Sequence, residues 1–212
     1  ASVLLSKIKA EKEKLIKEGK IKKEKLLPPI TDSEKPFDIP DSWQWVRLGD
    51  YLDVRDGTHD TPKYTVEGFP LVTSKNLVNE KIDFNNVKYI SKNDLDIINM
   101  RSNVDDGDIL FAMIGSIGNP VRVIKDRDFA IKNMALFKPY ANFINMDYIL
   151  LFLIFAQEAM KKQASGGVQV FVSLNYLRKF VLPLPPLNEQ KRIVARIEQL
   201  FAEIDKIKAK TY

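Results

Sequence analysis

Leu182-Pro183-Leu184-Pro185-Pro186-Leu187-Asn188-Glu189-Gln190-Lys191-Arg192-Ile193-Val194 joins a rigid, proline-rich exit to the start of a long helix. Proline fixes its own φ and has no N–H to donate, so the LPLPP run ends whatever element precedes it. Asn188 can accept from the free N–H groups of a first turn, and Glu189 suits the positive end of a helix, which predicts the helix start here. Beyond it Ile193, Ile197, Leu200, Ile204 and Ile207 step by four, three, four and three residues, the seam of a helix that packs on another helix. Two readings fit five seam residues equally well: a coiled coil, or a C-terminal helix folded onto its own domain. Residues 187–212 therefore form a rod attached to a globular module.

The module has an ordinary folded composition. With 45% hydrophobic and 29% charged residues in 212, the chain can bury a substantial core. The longest apolar run, Tyr148 to Ala156, is too short to span a bilayer and reads as a core helix. No secretory signal opens the chain, and the absence of cysteine removes disulfides, thiolate catalysis and cysteine-ligated zinc together. A cytoplasmic location is the expectation. The net charge of +5 is unevenly spread. Residues 1–30 hold nine lysines against four acids, whereas residues 40–186 hold seventeen basic and seventeen acidic side chains. A neutral module binds nucleic acid only if its basic residues are segregated onto one face, because phosphate contacts from Lys and Arg dominate such affinity. The N-terminal lysines, interleaved with Glu11, Glu13 and Glu18, fit a solvated helix face better than a DNA contact.

Three regions follow along the chain. Residues 1–39 comprise a helix over 2–18, with Leu5, Ile8 and Leu15 on one side and Gly19 closing it, then a polar segment holding Pro28, Pro29 and Pro36 that reads as a semi-extended linker. The narrow apolar stripe of this helix calls for a packing partner, the C-terminal helix being one candidate. Residues 40–186 alternate short β runs with helices. Strands are expected at 70–73, 108–114, 120–124, 135–139 and 180–183, and helices at 91–99 (Ser91 capping, Asp94 three residues on), 147–164 and 173–179. The expected fold class is thus a mixed α/β or α+β globular domain carrying long helices that form an antiparallel or dimeric coiled coil.

Several polar clusters within the module can present hydrogen-bonding groups to a ligand. Asp56-Gly57-Thr58-His59-Asp60-Thr61-Pro62-Lys63 is a turn dense in donors and acceptors, with Lys63 available to a phosphate. Ser74-Lys75-Asn76 follows an apolar strand, and Asn and Lys are the side chains that pair with adenine and guanine edges. Ser116 lies in Gly115-Ser116-Ile117-Gly118, a turn that leads into Val121-Arg122-Val123-Ile124 and so makes a β-hairpin rather than the strand–turn–helix of a cofactor site. Ser165-Gly166-Gly167-Val168-Gln169 follows a buried helix, with Gln169 able to pair with adenine and Gly166 and Gly167 able to offer N–H groups to phosphate. Each cluster read alone is also an ordinary solvated turn or capped connector. His59 is the lone histidine, so a histidine metal site lacks companions, and the tight acidic group Asp105, Asp106 and Asp108 reads as the turn before a strand. No metal or cofactor site is expected in this chain.

LPPLNEQKRIVARIEQL from Leu184, with IPDSWQWVRLGD from Ile39, resembles the specificity subunit of type I restriction–modification systems. Segments FPLVTSKNL, GDILFAMIGSIGN and VSLNYLRKFVLPLPPLNEQKRIV extend the likeness over essentially the whole chain. The resemblance implies a noncatalytic target recognition domain over 40–186, reading half of a split sequence in double-stranded DNA, and a helical region at 187–212. It implies methyltransferase subunits as partners, with S-adenosylmethionine carried by them, and restriction subunits in some systems. The helix residues Ile193, Ile197, Leu200, Ile204 and Ile207 would serve assembly. Family members carry two recognition domains and two helical regions where this chain has one of each, leaving open a half-subunit that pairs with itself and a piece of a longer chain. A helix from Asn188 to Lys210 would be about 35 Å long, close to one turn of B-DNA at about 34–36 Å. The rival readings are a coiled-coil adaptor of methyltransferase subunits and a fragment of a DNA methyltransferase or nuclease.

Overall fold

A computed structural model describes residues 1–164 and 171–211. In chain order its helices and strands are α1 (Ser2–Lys17), β1 (Gln44–Arg47), α2 (Leu48–Tyr51), β2 (Leu52–Asp56), β3 (Phe69–Val72), β4 (Leu77–Val78), β5 (Lys81–Ile82), β6 (Lys88–Ile90), α3 (Lys92–Ser102), β7 (Ile109–Ala112), β8 (Gly118–Arg122), β9 (Ala130–Ile131), β10 (Met134–Pro139), α4 (Met146–Ala164), α5 (Leu174–Lys179), β11 (Val181–Leu184) and α6 (Leu187–Thr211). The fold is the expected mixture of helices and strands.

The centre is an antiparallel sheet in the order β2-β10-β7-β8. Its inner strands are apolar without alternation because both faces are covered. Ile109 and Phe111 of β7, with Ala135 and Phe137 of β10, face a core closed by Ile149, Leu153 and Ala156 of α4. Leu110, Ala112, Met134 and Leu136 face the opposite way, toward Val72, Phe129 and Ile131. The period of two is therefore written in destination rather than in polarity. Beside this sheet, β3 pairs antiparallel with β6 and parallel with β9, and α3 covers it through Leu95. Ser91 caps α3 as the sequence predicts, its Oγ accepting from the Asp94 N–H at 3.1 Å. Ser173 does the same for α5, accepting from Tyr176 N–H.

The ends of the module meet in a separate ribbon. β1 runs antiparallel to β11, with Trp45 opposite Pro183 and Arg47 opposite Val181. Pro183 is tolerated because a two-stranded ribbon has only edge strands. The helix beyond starts at Leu187, one residue before the predicted cap: the Pro186 carbonyl accepts from Glu189 and Gln190 N–H, and Asn188 lies exposed in the first turn. Gln190 is fully buried and donates to the Pro185 carbonyl at 2.9 Å, while Val194 enters the core beside α4.

The N-terminal region departs from its expected looseness. Leu4 and Ile8 of α1 are buried in the main core with residues of α2, rather than forming a helix pair with the C-terminal rod. Residues 20–40 are extended, as their prolines require, but they are tied down along the module. The buried guanidinium of Arg47 is the tie. Its Nε donates to the Pro28 carbonyl at 2.7 Å and its Nη2 to the Pro29 carbonyl at 3.0 Å. Both Nη groups reach the Glu34 carboxylate at 3.0 Å, and Nη1 also donates to the Lys179 carbonyl. Glu34 is set for this by the turn Asp32–Glu34, where it accepts from the Thr31 N–H. Arg178 adds an ion pair to Glu24 at 2.7 Å, and Phe37 packs on Trp45.

Arg47→Ala is expected to lower unfolding stability by roughly 1–3 kcal/mol, because it removes a buried side chain and its set of part-buried hydrogen bonds; a urea titration measures it. The hydrogen bonds from Arg47 hold the Glu34 carboxyl down to about 2. A carboxyl depressed in the folded state contributes fully above the ordinary value of about 4.3, and its contribution is lost as pH falls toward 2. Fluorescence of Trp45, beside the tied segment, is therefore expected to change between about pH 4 and pH 2 and to be flat above.

Candidate nucleic-acid interface

The antiparallel registers decide which loops meet. β2 ends at Asp56 opposite Ala135, and β10 begins at Met134 opposite Ala112, the last residue of β7. β8 begins at Gly118, also opposite Ala112. The loop after β2, the turn before β10 and the tip of the β7–β8 hairpin hence leave the sheet at one end. Neighbouring strands lie about 4.8 Å apart, so the loop after β2 and the hairpin tip are separated by about 10 Å at their roots. The turn at Asp105–Asp108 is at the opposite end, where the Lys138 ammonium bridges Asp105 and Asp108. Burial pushes the Asp108 carboxyl up despite that pairing.

Residues 130–133 zip two further pieces onto the same end. Thr58 N–H donates to the Ile131 carbonyl and Asn133 N–H to the Thr58 carbonyl, each at 3.0 Å. On the other side Lys132 N–H donates to the Val72 carbonyl at 2.9 Å, which brings the turn after β3 alongside. Gly57 makes the close approach possible: a Cβ there would lie 2.3 Å from the Ile131 carbonyl oxygen. The hairpin tip needs Gly118 in the same way, with φ +101 and Gln157 packed where a side chain would point.

This arrangement gathers most of the sequence-predicted residues and sorts them by what remains exposed. Lys63 and Lys75 are exposed and have no carboxylate partner among the described residues. Ser116 is exposed at the hairpin tip, and Ser74 and Thr58 are half-buried. Phe171 pairs with Ile114, which follows β7, across an isolated bridge. Gly166, Gly167 and Gln169 themselves lie outside the described residues. Asn76 is a correction. It is 4% exposed, its Oδ1 accepts from Thr73 N–H and Oγ1, and its Nδ2 donates to the Asp83 carbonyl at 3.1 Å. The amide is buried and spent on closing the turn, so it is not presented to a base. His59 is exposed, with both ring nitrogens near protein groups: Nε2 lies 2.9 Å from Asp56 Oδ2 and Nδ1 lies 3.0 Å from Asn133 Oδ1.

Sequence reading missed Lys132, Asn133 and Arg101. Lys132 contacts Thr61 Oγ1, and Arg101 forms an ion pair with Asp56 from the end of α3. The Lys132-Asn133 pair stands between two apolar runs, a turn signal that could have marked it, and Asn133 does adopt φ 54. Tyr64 and Val66 add exposed apolar surface to the loop. Lys63, Lys75 and Lys132 share this end with Asp60 and, in the same loop, Glu67, while the aspartates at the opposite end are paired with Lys138. Lys63 and Lys75, exposed and without a carboxylate partner among the described residues, are the cations here that could reach a phosphate. Among the described residues no group of His, Cys, Asp or Glu is placed to hold a metal, and no helix is long and apolar enough to cross a membrane.

The rod divides its seam. Ile193 packs on the main core and Ile197 is half-buried, but Leu200, Ile204 and Ile207 are exposed, with Phe201 beside them. The reading of a helix folded onto its own domain fits the first half of the seam, and the second half is open surface.

Comparison with known proteins matches residues 40–211 to the family described as type I restriction modification DNA specificity domain. Among curated proteins, the chain is 32% identical over 219 residues to the type I restriction enzyme EcoAI specificity subunit of Escherichia coli, covering 98% of this chain and 36% of that protein. It is 30% identical to the EcoEI specificity subunit of the same species, covering 99% of this chain and 37% of the relative. The chain thus spans just over a third of the length of these curated relatives. Among solved structures, the HsdS subunit from Thermoanaerobacter tengcongensis superposes with a TM-score of 0.63 at 20% identity, over 84% of this chain and 42% of that one.

Asn76→Ala is expected to cost about 1–3 kcal/mol of stability by leaving the Thr73 and Asp83 groups unpaired. The urea midpoint should fall with the slope unchanged.

Proposed function

Because the chain belongs to the family of type I restriction modification DNA specificity domains, we propose that it is a noncatalytic subunit that reads one half of a bipartite target in double-stranded DNA. The observation that carries the reading is the gathering of three polar loops and unpaired lysines at one end of the central sheet, away from the aspartates at the other. In this reading Lys63 and Lys75 contact phosphates, and Thr58, Ser74 and Ser116 present hydroxyls to base edges or backbone. Gly166, Gly167 and Gln169 are proposed as further contacts, the glycine N–H groups to phosphate and Gln169 to adenine. Its place of work is the cytoplasm.

The helix α6 supplies assembly. Burying a Leu or Ile side chain contributes about 1.5–3 kcal/mol, so the exposed Leu200, Ile204 and Ile207 favour a second helix against them. For the chain alone that helix is proposed to come from a second copy. Two reading units would then stand on a rod of about 37 Å, near one turn of B-DNA, and symmetry would match a palindromic, interrupted target. Methyltransferase subunits, which bring S-adenosylmethionine, are the proposed partners of this rod, with a restriction subunit as a further one.

Co-expressing the chain with a methyltransferase subunit and mapping methylated positions in host DNA tests the reading. An interrupted motif with matching halves is expected; a complex that forms yet leaves no motif would support an adaptor that does not read DNA. Lys63→Ala should weaken binding to all duplexes alike and reduce the slope of log affinity against log salt by about one. Ile204→Glu should turn a dimer into a monomer by light scattering while the melting temperature of the module is kept.

A further inference from the structure

At the end of the sheet that carries Lys63 and Lys75 one acidic side chain is buried. Asp56 is 5% exposed and ends β2, directly before the loop that carries Thr58 and Lys63. One carboxylate oxygen takes Nε2 of His59 at 2.9 Å, and the other takes the guanidinium of Arg101 at the end of α3. His59 in turn reaches Asn133 Oδ1 at 3.0 Å, and Arg55 holds the Arg101 carbonyl. Three elements that are far apart in sequence, the end of β2, the end of α3 and the turn before β10, are so fastened to one carboxylate. The backbone on both sides is fixed as well, since Gly57 and Thr58 N–H donate to the Met134 and Ile131 carbonyls.

Resting on the reading given above, we propose that Asp56 is the positioning residue for sequence readout: through His59 and Arg101 it presents the loop at 57–63 in one conformation before DNA arrives. The carboxylate is buried while the His59 and Arg101 side chains are more than half exposed, so the pairing adds little net stability, but it defines orientation because each donor must face its acceptor. A loop ordered in advance does not have to be ordered on binding. Direct readout needs donors at fixed places along base edges, whereas phosphate attraction tolerates movement. Loss of the carboxylate should therefore relax discrimination between sequences and leave sequence-independent binding intact. His59 acts as a strut here, its nitrogens occupied by Asp56 and Asn133.

His59 is the only histidine, so a side-chain nitrogen NMR spectrum of the full chain reports the clamp directly. Asp56→Asn and, as a variant that keeps the ring but drops both nitrogens, His59→Phe are compared with the wild type. The target duplex is taken from selection out of a random pool by the chain assembled with its methyltransferase subunit. In Asp56→Asn the single imidazole signal should move, and both variants should lose about tenfold or more in preference for the selected duplex over a mismatched one. Affinity for unrelated duplex and the salt slope should stay within about twofold of wild type. An unmoved imidazole signal, or an equal loss of affinity for every duplex together with a lower melting temperature, would overturn the positioning role. Preference unchanged in both variants overturns the inference alone. A wild-type chain that selects no sequence overturns the functional reading and the inference with it.

Discussion

The buried guanidinium of Arg47 is the point through which the two ends of the module hold each other. A cation 2% exposed persists only if its donors are met. Here they are met by carbonyls at Pro28, Pro29 and Lys179 and by the Glu34 carboxylate. Prolines are suited to this use, since they cannot join a sheet as donors and their extended backbone leaves carbonyls free. Arg47 also sits in β1, whose partner β11 leads within three residues into α6. One side chain thus makes the N-terminal segment, the ribbon and α5 into a single frame, and the frame fixes where the rod departs.

The central sheet does a different task, converting register into proximity. None of the loops at the end that carries Lys63 and Lys75 is adjacent to another in sequence, and no attraction between their polar side chains would assemble them unaided. They meet because β7 and β10 are paired residue by residue and because a slip of one residue would exchange the side chains fitted to the two cores on either face. The parallel pair of β3 with β9 brings in the turn at Ser74 by the same logic. Chemistry at the surface is in this sense a by-product of apolar strands whose positions are decided underneath.

What the sequence disclosed follows from which forces are local. The helices α3, α4 and α5 were legible because periodicity and Ser caps act within a few residues, and β7 and β10 because their apolar runs are continuous. β1 and β2 were missed, since Arg47 and Arg55 interrupt their pattern to reach carbonyls far along the chain, and Asp53 to pair with Arg55. β4, β5 and β9 are two residues each, too short for any period. Among candidate contacts, residue type was a fair guide to hydrogen-bonding capacity but not to its use. Asn76 spends its amide on a turn, and His59 spends its ring on Asp56 and Asn133, pairings that exist only once the turn and the strands are in place. The helical seam was read correctly as a pattern, while its division between the module and open surface depends on where Val194 and Gln190 sink into the core.

That burial of Gln190 and Val194 has a mechanical side. A helix of 25 residues is a lever about 37 Å long, and a rotation of about five degrees at its root swings its far end by about 3 Å, roughly the rise of one nucleotide along a DNA strand. The tolerance of any site measured from that far end is consequently set by angular stiffness at the root. A glutamine sealed against a proline carbonyl, with no solvent to trade hydrogen bonds with, is a stiff bearing. In this fold the accuracy of a long distance is governed by a joint a few residues across.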